Sequence, residues 1–181
     1  MDFRDLTAED IEVRIQQVKV NKDPKKSGVI LLLYKNARVD MNILDETVGA
    51  ENWQREHYEC KGNLFCRVGI QKGKLHMGEH VTDLREWVYK SDCGTESNTE
   101  AQKGEASDSF KRACFNWGIG RELYTSPFIW VNAENCKIED NGKCWDRFAV
   151  EKIIIENKRI TALAIWNVTQ KKRCFVWQEQ K

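Results

Sequence analysis

SNTEAQKGEASDSFKRACFNWGIGRELY, residues 97–124, is the stretch whose reading decides the fold. Ser97 and Glu100 have the spacing of a capping box, and Gly118 and Gly120 stand where a helix stops, which predicts one helix of about 20 residues. At about 100° per residue, Ala106, Phe110, Ala113, Cys114 and Trp117 share one side. Lys103, Ser107 and Lys111 form an i, i+4, i+8 row beside that stripe, with Asp108 and Arg112 further round. Such a helix docks on a sheet through Phe110 and Trp117 and turns two or three cations outward. An ordinary packing helix with a solvated charged face has the same pattern, and periodicity alone does not separate the two.

Working outward, 181 residues suffice for one well-buried core and are short for two, which predicts a single domain over 1–181. Lys and Arg number 29 against 28 Asp and Glu, a net charge of +1, so any nucleic-acid role requires the cations to gather into a patch. The seven cysteines are odd in number and contain no CxxC pair, which argues against a zinc site or a disulfide framework and for reduced thiols in a cytosolic setting. The first residues, MDFRDLTAEDIEVRI, are charged, and no apolar run approaches a membrane span, so an intracellular soluble protein is expected.

In chain order, Thr7 or Asp5 is placed to cap a first helix through about Val20, with Ile11, Ile15 and Val18 at helical spacing. Residues 21–28, NKDPKKSG, form an exposed basic loop around a proline. Val29–Tyr34 is a continuous apolar run of buried-strand length, and Met41, Leu44 and Val48 predict a short helix ending at Gly49. Alternation then takes over: 53–60, 64–71 and 74–89 are expected as an antiparallel meander, with turns at Lys61-Gly62-Asn63 and Lys72-Gly73 and a bend at Gly78. A polar turn over 91–97 leads into the long helix. Beyond it come a short strand at 128–131, a loop, a hairpin over 148–167 turning near Glu156 to Arg159, and a last strand in RCFVWQ. The fold class is α+β: a β-β-β-α unit with a C-terminal β-hairpin.

The sequence has no Walker motif, and Gly118-Ile119-Gly120 does not extend to GxGxxG, so nothing supports nucleotide binding and no cofactor is expected. His76 and His80 are four apart, but in a stretch read as strand, which does not favour a metal. Glu59-Cys60-Lys61 has the E-x-K form, with Asp40 and Asp45 upstream. Carboxylates and a lysine so arranged describe a magnesium-dependent nuclease using Asp45, Glu59 and Lys61. E-x-K is short, and a lysine in a Lys-Gly-Asn turn needs no catalytic reason. An adaptor domain with no nucleic-acid role is a third reading.

KGEASDSFKRACFNWGIGRELY resembles the signature segment of single-strand annealing proteins of the Rad52 type, including phage and prophage relatives, in which a helix carries a Lys-Arg pair ahead of a Phe/Trp-Gly stop. Upstream, NARVDMNILDETVGAENW looks like that family's segment in which an Arg precedes a short helix, then Gly, then a Trp opening the meander. The resemblance covers about residues 29–131, an annealing core, with 148–178 similar to the terminal hairpin of phage members. It implies ATP-independent binding and annealing of single-stranded DNA in recombination and repair, no catalysis, and assembly into rings or filaments. It places the groove residues at Arg38, Lys103, Ser107, Lys111 and Arg112. It also implies a bacterial cytoplasm as the setting, and a phage exonuclease or host single-strand-binding protein as further partners. Phe115 stands where relatives carry another cation, a departure that lowers the charge of the groove.

Overall fold

The computed structural model describes residues 2–73, 76–77, 80–81, 86–95 and 101–180; for 76–77, 80–81 and 101–103 it describes the backbone alone. In chain order the elements are β1 (Glu12–Lys19), β2 (Gly28–Tyr34), α1 (Ala37–Val48), β3 (Trp53–Cys60), β4 (Asn63–Lys72), β5 (His76–Met77), β6 (His80–Val81), β7 (Glu86–Cys93), α2 (Ala101–Trp117), β8 (Ile129–Asn132), β9 (Phe148–Glu156), β10 (Arg159–Asn167) and β11 (Lys172–Gln178), with short 3-10 turns between. The fold is α+β, with antiparallel sheets and, among the described residues, two α-helices. Contacts gather the chain into two compact units, Met1–Arg4 with Ala37–Gly120, and Asp5–Asn36 with Arg121–Lys181. Among the described residues no helix is long and apolar enough to cross a membrane.

The first unit is built on the antiparallel sheet β3-β4-β7. β3 and β4 meet through Lys61 and Gly62, both at positive φ, 52° and 75°, the backbone sense that matches the twist of a tight hairpin. Cys66, Val68 and Ile70 of β4 point to one face and are fully buried. α2 lies on that face. Its Phe110, Ala113 and Cys114 are fully buried, and the Trp117 indole donates to the Val68 carbonyl at 3.0 Å. Helix and sheet approach so closely at Gly94 that a Cβ there would stand 2.2 Å from the Glu105 carbonyl oxygen. α1 buries Val39, Ile43 and Leu44; its Asp45 accepts the Trp53 indole N–H at 2.6 Å, and Trp53 stacks on Phe110 at 6.1 Å. The expected apolar stripe of α2 is thus its packing face. Helix α2 ends at Trp117, followed by Gly118 and Gly120 at φ 104° and 75°. The expected capping pair Ser97 and Glu100 lies outside the described residues.

Two expectations for this unit need correction. The third strand of the sheet is not 74–89 but Glu86–Cys93; β5 and β6 form a separate two-stranded ribbon, and the bend expected at Gly78 lies outside the described residues. Residues 91–93, expected as part of a polar turn, complete β7. Their polarity is satisfied within the fold: Asp92 accepts Cys93 N at 2.9 Å, and Asn116 of α2 donates to the Ser91 carbonyl at 3.0 Å.

The second unit is a six-stranded sheet in the order β11-β10-β9-β1-β2-β8. Val29, Leu31 and Leu33 of β2, Ile129 and Val131 of β8, and Ile160, Leu163 and Ile165 of β10 form its core. The expected helix from residue 7 to 20 is instead one 3-10 turn, Ala8–Asp10, followed by strand β1. Thr7 occupies the N-cap position of that turn, and the Asp10 carboxylate reaches back to accept the Thr7 N–H at 2.9 Å and the Thr7 hydroxyl at 3.0 Å. The helical spacing of Ile15 and Val18 has a physical cause. The pairing of β1 with β2 shifts register between Ile15 and Gln17, so Val13 and Ile15 share a phase with Val18 across a bulge, and a bulged strand imitates helical spacing. The hairpin expected over 148–167 is β9 and β10, turning through Asn157 and Lys158 at φ 53° and 60°. Val29–Tyr34 and the short strand at 128–131 pair with each other as β2 and β8.

In this unit the buried Asp146 gathers three hydrogen bonds, one of them from the buried Asn167. Burial raises the pKa of its carboxyl, but hydrogen bonds from Asn167 Nδ2 at 2.8 Å, Lys137 N at 2.8 Å and Gln170 Nε2 at 3.1 Å more than offset that, and its pKa lies below the ordinary range. None of the seven cysteines forms a disulfide, and burial pushes the Cys136 thiol up to about 12 and the Cys174 thiol up to about 11.

Candidate nucleic-acid interface

The five residues singled out in the sequence all fall in the first unit, on its two helices. Arg38 is the second residue of α1 and is exposed; α1 packs on α2 and on β3. Ser107, Lys111 and Arg112 are half-buried on α2, away from its fully buried stripe of Phe110, Ala113 and Cys114. Lys103 lies in the first turn of the described helix, and its side chain lies outside the described residues.

The flank of α2 beside β7 is more ordered than periodicity suggests. Arg112 does not project straight to solvent: its Nε stands 3.4 Å from the Asp92 carboxylate on β7. Asp108 accepts the Thr95 N–H at 3.1 Å and the Thr95 hydroxyl at 3.2 Å, tying the helix to the residues that follow the strand. At the C-terminal end of the helix, Lys90 donates to the Asn116 carbonyl at 2.8 Å, where a cation complements the negative end of the helix dipole. Lys90 Nζ also lies 4.7 Å from the centroid of the Trp117 ring, and Lys72 Nζ 5.9 Å from it. Arg55 of β3 lies over Phe110 at 4.8 Å. The seam between helix and sheet therefore carries Arg112, Lys90 and Lys72, with Arg55 on the β3 side, while Lys111 stands about 100° round α2 from Arg112, on the Ser107 side of the packed stripe.

Lys72, Lys90 and Arg55 were absent from the residues the sequence nominated. Their signal is the strand alternation itself: Arg55 and Lys90 are both opposite Val68, so they share its face. That becomes visible once the register is known.

The residues of the nuclease reading are placed differently. Asp40 is fully buried in α1, Asp45 holds the Trp53 indole, Glu59 is exposed near the end of β3, and Lys61 occupies the β3–β4 turn. Among the described residues no group of three or more His, Cys, Asp or Glu side chains is placed to hold a metal ion. The side chains of His76 and His80 lie outside the described residues.

A family model described as Rad52/22 family double-strand break repair protein matches residues 4–141. The chain belongs to this family. The matched span runs from before β1 through β8 and stops short of β9, so it takes in both helices and every strand of the first unit. Among curated proteins the chain is similar to the single-stranded DNA-binding protein DdrA of Deinococcus radiodurans, 29% identical over 114 residues, which is 62% of this chain. The match covers 50% of the length of that relative. No solved structure matches the chain. Within this Rad52/22 family member, the cations nominated from the signature segment, Lys111 and Arg112, stand on α2 outside its fully buried stripe, Arg112 on the β7 side.

Proposed function

We propose that this chain binds single-stranded DNA and anneals complementary strands without ATP, in recombination or double-strand-break repair. Family membership and the DdrA likeness support the class of activity. The observation that carries the assignment of the site is helix α2, which carries cations on both sides of its packed stripe. Lys111 and Arg112 stand on a helix locked to the sheet by Phe110, Ala113 and Cys114, so their backbone positions are fixed before any ligand arrives.

Annealing needs no acid, base or redox group on the protein. It requires phosphates to be held while base edges stay open to test a second strand. Lysine and arginine neutralise phosphates and release counterions, so affinity falls steeply with salt. With a net charge of only +1, one copy offers a modest site. Repetition of the site in a ring or filament of identical subunits raises the effective concentration of each contact along one strand. Arg38, Lys103, Ser107, Lys111 and Arg112 are the groove residues of this reading. The setting is recombination in a bacterial cell, where the likeness of the signature segment to phage and prophage members belongs, with an exonuclease or single-strand-binding protein as a further partner.

Reversal of Lys111 to Glu tests the site. With EDTA present throughout, the wild-type chain binds and anneals, and Lys111→Glu loses most of both while keeping its circular dichroism and melting temperature. Normal annealing by the folded variant would refute the site. Cleavage of the strand in magnesium that vanishes with EDTA would favour the nuclease reading, and no interaction with nucleic acid would favour the adaptor reading.

A further inference from the structure

The side of the sheet β3-β4-β7 turned away from α2 carries a band of aromatic rings. Tyr58 and Phe65 are directly opposite each other on β3 and β4 and stack at 5.6 Å with 23° between planes. Trp87 and Tyr89, two apart on β7, stack at 6.3 Å with 25° between planes. Arg67, on β4, lies over the Tyr89 ring at 5.1 Å, and Gln54 of β3 donates to the Tyr89 hydroxyl at 2.7 Å. These residues share a face by register: Gln54 and Tyr89 are both opposite Gly69, and Arg67 is opposite Glu56 and Ser91. Tyr89 is 43% exposed. Both described helices of the unit pack on the other side, α2 through β4 and β7 and α1 through Trp53.

The band is laid flat by one small residue. A Cβ on Gly69 would stand 2.5 Å from Cε1 of Tyr89 and 3.2 Å from Cε3 of Trp87, so both rings lie across the space a side chain would fill. Rings that lie along a sheet present their π-faces outward rather than their edges. The charge of the face also has a direction. By register its one described carboxylate is Glu56, and Arg67 holds that at 2.6 Å, which also raises the guanidinium pKa above its ordinary range. Lys61, exposed in the turn next to the Tyr58–Phe65 pair, adds a cation at one end. The face is therefore aromatic with a slight positive balance.

We propose that this face is a base-stacking platform for single-stranded nucleic acid, separate from the cationic seam that holds phosphates. The inference rests on the nucleic-acid reading above and deepens it. An aromatic face with an attendant guanidinium and amide is the chemistry that accepts nucleobases irrespective of sequence, because every base has a π-face. A second copy of the chain is the less fitting occupant: Gln54, Glu56, Arg67 and Ser91 interrupt the apolar surface a stable subunit interface requires. Stacking uses the base faces and leaves the pairing edges free. That is what a strand awaiting its complement needs.

The test compares a single-stranded oligonucleotide with one of equal length whose sugars are abasic, by equilibrium titration at low salt with EDTA. The wild-type chain binds the normal strand about tenfold more tightly than the abasic one, and the normal strand quenches tryptophan fluorescence. Trp87→Ala removes that preference and brings both strands to the abasic affinity, while Trp87→Phe, which keeps a ring, retains it. Light scattering gives the same subunit number for all three proteins. Equal wild-type affinity for the two strands would overturn the platform and leave the phosphate seam standing. A loss of subunit association in Trp87→Ala, with the base preference intact, would overturn it in favour of a contact between copies. Binding to neither strand would fell the nucleic-acid reading and the platform with it.

Discussion

Asp92→Asn is expected to strengthen binding to single-stranded DNA, and the reasoning is carried by one ion pair. Asp92 stands 3.4 Å from Arg112 Nε, with the two side chains 24% and 42% exposed, so a carboxylate shares the seam with the cation assigned to phosphate. Asparagine keeps an oxygen for the Cys93 N–H that Asp92 accepts at 2.9 Å, and removes the charge together with the second oxygen, which accepts from Asn116 at 3.3 Å. A half-exposed pair at this long separation is worth about 1 kcal/mol or less, so the melting temperature changes little. Removing a unit negative charge about 7 Å from a bound phosphate in water relieves about 0.6 kcal/mol, or about threefold in affinity per site. If Arg112 then takes one further phosphate, the slope of log affinity against log salt steepens by about 0.7. Fluorescence anisotropy of a labelled oligonucleotide across a salt series reads both quantities. A folded Asp92→Asn protein that binds no more tightly than wild type, with an unchanged or shallower slope, would refute the placement of Arg112 at the DNA.

Gly94→Ala should lower stability by about 2 kcal/mol or more, because the added carbon meets the Glu105 carbonyl at 2.2 Å and Ser109 N at 2.9 Å, both backbone atoms of α2; chemical denaturation measures it. Asp146→Asn should cost about 1.5–3 kcal/mol at pH 7, since it removes the charge that Asn167, Lys137 and Gln170 hydrogen-bond. The folded-state pKa of Asp146 is lowered, so its contribution is present above the ordinary value of 3.8 and is lost as pH falls through the folded value; the gap between variant and wild type should close in acid. In thiol titration of the native protein at pH 8, exposed Cys60 should react first, while Cys66, Cys136 and Cys174, pushed by burial up to about 11, 12 and 11, react only on unfolding.

Local signals in this chain were legible where the physics is local. The α2 stripe of Phe110, Ala113 and Cys114, the glycine stop after Trp117, and the tight turn through Lys61 and Gly62 follow from spacing and backbone chirality. Strand β1 was not legible, because the bulge between Ile15 and Gln17 gives a strand the apolar spacing of a helix. The order of the six-stranded sheet was hidden for another reason: β2 pairs with β8 and β1 with β9 across long separations, which no local pattern encodes. The same holds for the seam. Lys111 and Arg112 were nominated from the helix alone, but the Asp92 that faces Arg112, and the Lys72 and Lys90 that flank Trp117, come from strands whose register had to be seen. The aromatic face needed the same knowledge, since Tyr58, Phe65, Trp87 and Tyr89 alternate with residues of the opposite side.

The most direct measurement of the central claim is the rate at which two complementary fluorescent oligonucleotides pair, with protein in excess, EDTA present and no ATP, at low and at high salt. The account predicts a rate well above the spontaneous one at low salt, fading as salt rises and lost in Lys111→Glu. A rate equal to the spontaneous one at every protein concentration and salt would contradict it.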